Sequence, residues 1–282
     1  MKGFINVNKP VGFSSAKVVA IIKHKLGLTK KDKIGHMGTL DPQASGVLPI
    51  AVGRATRLFD YLLAKRKTYI AEFTFGYMTD TLDREGEAIK ESTKIPTKDE
   101  ILAVLPDFLG EIEQLPPQYS AKSVNGVRAY EMARKGQEVE LKTCKVYIEK
   151  FEFIEQISAN CFKFEIKCGS GTYIRSLCRD LAEKVGSVAT MTALCRTQTD
   201  VFSLENAISV DEINENSLLP IDIVLQKLDK FDVSQQEYQD LLNGKKVILD
   251  KNAGVYRLYF EGELLGICNI DEQKIAKMKI WL

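Results

Sequence analysis

One acid stands out by its surroundings. In IGHMGTLDPQASGVLPIAVGRATRL, residues 34 to 58, Asp41 ends a glycine-punctuated stretch and precedes a long apolar run. His36 lies five residues upstream, and Arg54 and Arg57 lie downstream. Grouped around Asp41, these three would form a basic, partly apolar pocket suited to an ionised carboxylate and a phosphate backbone. An Asp before Pro in a glycine-rich loop is also an ordinary turn former. Spacing alone leaves both readings open.

The residue inventory removes several other chemistries. A G-x-S-x-G elbow, a Walker loop and a Rossmann glycine fingerprint are all missing, so neither an elbow serine nor a nucleotide cofactor is indicated. The two histidines, His24 and His36, have no evident nucleophile to serve. Six cysteines, at 144, 161, 168, 178, 195 and 268, include no C-x-x-C pair, which argues against zinc and for reduced thiols in a cytosolic interior. TDTLDREGE (79 to 87) lacks the spacing of a cation loop and reads as a turn between a strand and its successor.

Charge is divided unevenly along the chain. Residues 1 to 70 hold 13 Lys and Arg against 3 Asp and Glu, and the remainder holds 26 against 35. A basic N-terminal part suits a polyanion, and nucleic acid is the expected one, although a dispersed set of solvating lysines would give the same sum. With 282 residues, 45% of them hydrophobic, the chain can bury one large core and a small second domain. No stretch approaches the roughly 18 apolar residues of a membrane span, and no signal peptide is recognisable, so a soluble, cytoplasmic protein is expected.

The elements that must hold these residues can be read in outline. SSAKVVAIIKHKLGL (14 to 28) opens on a serine cap and predicts an amphipathic helix. VLPIAVG (47 to 53) fits a buried strand, and TYIAEFTFGY (68 to 77) and FKFEIKC (162 to 168) alternate as strands do. GSGTYIRSLCRDLAEKVG (169 to 186) reads as a turn followed by a helix. Polar residues alternating within the strands favour an α+β fold on a mixed, largely antiparallel sheet with flanking helices. Past residue 228, a helical EYQDLLNGKKV and short strands broken by glycine turns suggest a compact β-rich module, dividing the chain into 1–228 and 229–282.

GHMGTLDPQASGVLPIAVGRATRL resembles the signature of the TruB family of tRNA pseudouridine synthases, which isomerise uridine 55 in the TΨC loop. NVNKPVGFSS (6 to 15), KTYIAEFTFGYMTDTLDREG (67 to 86), QLPPQYSA (114 to 121), NGVRAYEMARKG (125 to 136), CGSGTYIRSLCRDLAEKVG (168 to 186) and ALCRTQTDVFS (193 to 203) are similar to family segments in the same order. The resemblance covers most of residues 3 to 226. It implies the pseudouridine synthase fold and, more weakly, a small PUA-like β-barrel at the C-terminus.

The resemblance also implies roles. Asp41 would be the essential nucleophile of the glycosidic bond exchange, and Arg175 of G-T-Y-I-R would pair with it and hold it ionised, a charge effect of roughly 1 to 3 pKa units. Tyr69 of K-T-Y would stack on the flipped uracil and stand where a C5 proton is removed. His36 would lie near the displaced nucleotide, and Leu194 would pack on the base. Lys23, Lys25, Lys30, Lys31, Lys33, Arg54 and Arg57 are expected along the RNA backbone. Residues 114–150 resemble an RNA-gripping insertion, to which Arg128, Arg134 and Lys135 would contribute. One departure is Ser123, where the family usually has Lys; here Lys122 precedes it.

No cofactor or metal is implied, and the expected partner is the T arm of tRNA, met by a monomer that requires no protein partner. Three chemical routes stay open: attack at C1′, addition to C6, or a glycal formed by loss of a C2′ proton. Two other classes compete with the synthase, a non-catalytic RNA-folding protein and an aspartate-nucleophile hydrolase. The hydrolase needs a second acid within about 5 to 10 Å, which the G-T-L-D-P neighbourhood does not supply locally.

Overall fold

The computed structural model describes residues 1–63, 66–120, 123–124, 127–128, 132 and 141–282. Its strands begin with β1 (Gly3–Lys9), β2 (Ile34–His36), β3 (Ala44–Val52), β4 (Lys67–Phe75), β5 (Tyr77–Thr79), β6 (Ala88–Glu91) and β7 (Gly110–Gln114). Among them lie helices α1 (Ser15–Lys25), α2 (Phe59–Leu63) and α3 (Lys98–Val104). A short pair, β8 (Ser123–Val124) and β9 (Val127–Arg128), precedes β10 (Cys144–Ser158), β11 (Cys161–Cys168), α4 (Ile174–Lys184), β12 (Ala189–Thr199), β13 (Phe202–Ser203) and β14 (Ile208–Ser209). The chain closes with β15 (Asp229–Asp232), α5 (Gln235–Leu242), β16 (Val247–Ile248), β17 (Gly254–Phe260), β18 (Glu263–Ile270) and β19 (Ile275–Trp281).

The main sheet runs β14-β1-β3-β12-β4-β11-β10-β7, with β2 on β3 and β13 on β12. The β1/β14 and β3/β12 pairs are parallel, and the other described pairs in this sheet are antiparallel. This is the mixed, largely antiparallel α+β sheet that polar alternation predicts. The apolar runs of β1 and β3 follow from burial on both faces. Ile5, Leu48 and Ile50 join the core that includes Val18 and Ile22 of α1 and Leu177 and Leu181 of α4. Their neighbours Phe4, Val47 and Ala51 join a second core on the opposite face.

That second core is completed by Ile267 and Leu282 from the C-terminal sheet, a curled, barrel-like β15-β17-β18-β19-β16 arrangement. The C-terminal strands also bury a core of their own with α5, through Leu241, Leu258, Cys268 and Ile270. Helix α1 starts as its sequence predicts, Ser14 accepting from the Lys17 amide at 3.1 Å. Among the described residues no helix is long and apolar enough to cross a membrane.

Candidate active site

Asp41 lies between β2 and β3, and distant segments fasten its loop from two sides. The Ser15 hydroxyl donates to the Leu40 carbonyl and accepts from the Leu40 amide, both at 2.9 Å, tying the loop to α1. The Lys9 ammonium, wholly buried at the end of β1, donates to the carbonyls of Pro10 (2.9 Å), Phe13 (2.5 Å) and Pro42 (3.2 Å). Burial pushes the Lys9 pKa down to about 8, with Asp41 opposing. NKPVGFSS thus frames GTLDP, a purpose that composition does not reveal.

Arg175 enters from the first turn of α4. The Gln114 side chain anchors that turn, accepting from the Tyr173 amide at 2.8 Å and donating to the Tyr173 carbonyl at 3.1 Å. Arg175 Nη2 lies 3.0 Å from Asp41 Oδ2, and Nη1 lies 3.3 Å from Asp83 Oδ2. The same two nitrogens donate to the carbonyls of Tyr119 and Thr81, each at 3.0 Å. The guanidinium's rigid fork therefore has its direction fixed, as a flexible ammonium's would not be.

Asp83 sits in the β5/β6 turn, where its Oδ1 accepts from Thr81 Oγ1 at 2.7 Å and from the Glu85 amide at 3.0 Å. Leu82 beside it has a φ of 62°, a left-handed conformation rare for a branched side chain, held by the Met191 amide bonding to its carbonyl at 3.1 Å. TDTLDREGE is the turn that the sequence predicts, and it also delivers a second carboxylate to Arg175.

The two carboxylates differ in environment. The Asp83 side chain is 5% exposed, whereas that of Asp41 is 36% exposed. Asp41 faces a cavity of about 650 Å³ walled by Thr39, Tyr69, Tyr119, Tyr173, Arg175 and Leu194 among others. That volume lies within the range of small-molecule sites, about 300–1,000 Å³. Burial raises the Asp41 pKa above the usual carboxylate range; Arg175 is the largest opposing influence, while Asp83 and Glu85 add to the rise. Pairing with Arg175 alone predicts a lowering, so the net direction is the reverse of that expectation, because burial and two neighbouring acids outweigh the Arg175 guanidinium and the Lys9 ammonium.

Comparison with known proteins identifies the chain at this point. Residues 23–174 match the family described as TruB family pseudouridylate synthase (N terminal domain), and residues 175–230 match the tRNA pseudouridylate synthase B C-terminal domain. The chain belongs to the TruB family. It is 41% identical over 295 residues to a tRNA pseudouridine synthase B of Clostridium perfringens, covering 99% of each chain. A protein of the same description from Rickettsia akari is 38% identical over 288 residues, covering 99% of this chain and 98% of that one. Among solved structures, a chain of "Crystal Structure of a Cbf5-Nop10-Gar1 Complex" superposes with a TM-score of 0.71 at 26% identity, over 99% of this chain and 85% of that chain. The main sheet is thus that of the pseudouridine synthases.

The fold gathers Asp41, Tyr69, Arg175 and Leu194 around one cavity, although they come from a loop, β4, α4 and β12. Tyr69 is at once a core residue of β4 and a wall of the cavity. Burial pushes its phenol upward, and the positive charge of Arg196, opposite it in the β12/β4 pair, counters that rise. His36 is not on the cavity wall. Its Nδ1 is buried with no hydrogen-bond partner among the described residues, and burial, helped by the charge of Arg196, favours the neutral imidazole.

Arg54 and Arg57 depart from the expected grouping with Asp41, since neither reaches the cavity. Arg54 donates to the Leu282 carbonyl at 2.8 Å and Arg57 to the Trp281 carbonyl at 2.6 Å. The reason is geometric: β3 carries the chain away from Asp41 by roughly 27 Å at its usual rise. Arg128 belongs to β9, paired with Ser123, but its side chain, like Lys122, Arg134 and Lys135, lies outside the described residues.

Sequence reading missed Lys9, Asp83 and Arg196. Only Arg196 carried a usable signal, because it lies two residues beyond Leu194 and so shares its face of a strand.

Proposed function

We propose that this chain converts uridine 55 in the T loop of tRNA to pseudouridine, with Asp41 as the nucleophile. The observation that carries the reading is the Asp41 carboxylate, paired with Arg175 at 3.0 Å yet open to a cavity that Tyr69 and Leu194 also wall. Family membership supports the reaction, and the names of the relatives support tRNA as substrate.

In this reading the base leaves its stack, at a cost of a few kcal/mol, and enters the cavity between Tyr69 and Leu194. The N1–C1′ bond breaks, the uracil turns, and a C5–C1′ bond forms; the C5 proton departs and N1 gains one, so no group or redox equivalent is imported. Arg175 holds Asp41 toward the junction of sugar and base and opposes its protonation, and Tyr69 stands by the base, where its phenolate, formed by loss of the hydroxyl proton to solvent, takes up the C5 proton. The flipping cost is offset by phosphate contacts from the lysines of α1 and the loop after it. Arg54 and Arg57 retain unspent donors on the surface for the same use.

From the family resemblance we further read it as a monomer that works on the T arm without a protein partner or cofactor, in the cytoplasm. The test is tritium release from C5-labelled uridine in an unmodified tRNA transcript, with a U55→C transcript and the Asp41→Ala enzyme alongside. Release confined to the wild-type pair is expected. Tight binding without release would instead make the chain an RNA-folding protein.

A further inference from the structure

Among the described residues the largest fully buried side chain carries a charge that the main site leaves unexplained. Arg196 on β12 is 1% exposed, and among the described residues it makes no ion pair. Taking a guanidinium out of water without a counter-ion is costly, so its remaining partners matter. Nε donates to the Val47 carbonyl at 2.7 Å, Nη2 to the Gly38 carbonyl at 3.0 Å and Nη1 to the Thr39 carbonyl at 3.5 Å. In the β12/β4 pair it stands directly opposite Tyr69.

These partners are not scattered. Gly38 and Thr39 lead directly into Asp41, Val47 belongs to the strand that leaves it, and Tyr69 faces the cavity. The backbone is built to admit this arrangement. Arg196 stands opposite Gly46 in the parallel β12/β3 pair, and Gly46 has a φ of 99°; a Cβ there would meet the Arg196 carbonyl oxygen at 2.2 Å.

We propose that Arg196 is a positioning residue for the reaction, one that fixes Tyr69 relative to the Asp41 loop and keeps a positive charge behind the bound base. The inference rests on the function proposed above. Negative charge develops on the pyrimidine as the N1–C1′ bond breaks, and a preorganised cation in a dry site stabilises it without reorganisation. The same cation counters the rise that burial imposes on the Tyr69 hydroxyl and so favours the phenolate, the form that can take a proton from C5.

Arg196→Lys keeps the charge and loses the fork, and Arg196→Gln keeps a donor and loses the charge. Each is compared with wild type by tritium release from the tRNA transcript, with melting temperature and tRNA affinity measured on the same preparations. The expected result is kcat reduced about 10-fold in Arg196→Lys and 100-fold or more in Arg196→Gln, with KM and tRNA affinity changed less than about threefold. In Arg196→Gln the rise of kcat with pH also moves to higher pH, because Tyr69 has lost its neighbouring cation.

Wild-type kcat in both variants, or losses that follow melting temperature and KM with an unmoved pH profile, would reduce Arg196 to a structural staple and overturn the proposal. If Arg196→Gln does not fold, the kcat, KM and pH profile of Arg196→Lys decide. Absence of release by the wild type would overturn the proposed function, and this inference with it; release by the wild type with an unaffected Arg196→Gln would overturn this inference alone.

Discussion

Two pairs of arginines divide the molecule. Arg175 and Arg196 are buried, and each collects groups from segments far apart in the chain around one cavity. Arg54 and Arg57 are exposed, and their described bonds go to the backbone carbonyls of Leu282 and Trp281, at and just beyond the end of the last strand. Yet Arg54 and Arg57 are the pair nearer to Asp41 in sequence. The contrast teaches that proximity along the chain is spent on docking the C-terminal sheet, while the chemistry is assembled by long-range pairing. It also locates the energetics: buried charges must be matched within the fold, whereas a surface donor to a carbonyl contributes about 1 kcal/mol.

The largest effect separating the two regions is expected at Asp41. Asp41→Asn removes tritium release altogether and leaves tRNA affinity within about threefold of wild type. The same change raises the melting temperature. Because burial holds the folded-state pKa of Asp41 above its unfolded value, the ionised form costs stability at neutral pH, and a neutral amide relieves that cost. A lower melting temperature would contradict this sign.

Asp83→Asn tests the hidden acid. Turnover is expected to fall about 10- to 100-fold, because Arg175 loses one of the two carboxylates that orient it. The acid limb of the pH–rate profile should move to lower pH, since Asp83 is among the groups that raise Asp41. An acid limb moving upward would show that the two carboxylates do not interact as their geometry indicates.

Arg54→Ala with Arg57→Ala probes the other region. The chemical step measured in a single turnover should stay within about twofold of wild type. The melting temperature should drop by about 2–4 °C for each kcal/mol lost, as two carbonyls of the C-terminal strand lose their donors. A collapse of the chemical rate would erase the distinction between the pairs.

The smallest expected effect comes from Lys67, buried in β4. Burial brings its pKa down to about 8, against 10.5 when exposed. Between those values the unfolded chain binds the extra proton, so stability from this group rises with pH from about 8 toward 10. Lys67→Met should flatten that rise in urea midpoints measured at the two ends of the window, and an unchanged slope would count against the shift.

How much of this was legible depends on which physical signal a residue carries. The β3 run VLPIAVG and the cap Ser14 are local features, and both became the elements that their patterns predict. Asp41 stands out by its surroundings and takes its role, as Tyr69, Arg175 and Leu194 do, from the family resemblance, and only the three-dimensional pairing of β4, β12 and α4 makes one site of them. Asp83 was hidden because its turn-forming function fully explains an Asp three residues before a glycine. Lys9 was hidden because its partners are carbonyls, which every residue has. The same anonymity concealed the grip of Arg54 and Arg57 on the C-terminal strand, and left them to be grouped with Asp41 on spacing alone.

The most direct test is the single-turnover rate of tritium release by Arg175→Ala on an unmodified tRNA transcript, with the dissociation constant measured on the same preparation. The expected result is a rate lower by about 10³-fold with affinity within a few-fold of wild type, since a buried guanidinium that orients the nucleophile acts on the chemical step. Near-normal release by Arg175→Ala would contradict the central claim that the pairing of Asp41 with the buried Arg175, and not the charge adjacent in sequence, makes this cavity an active site.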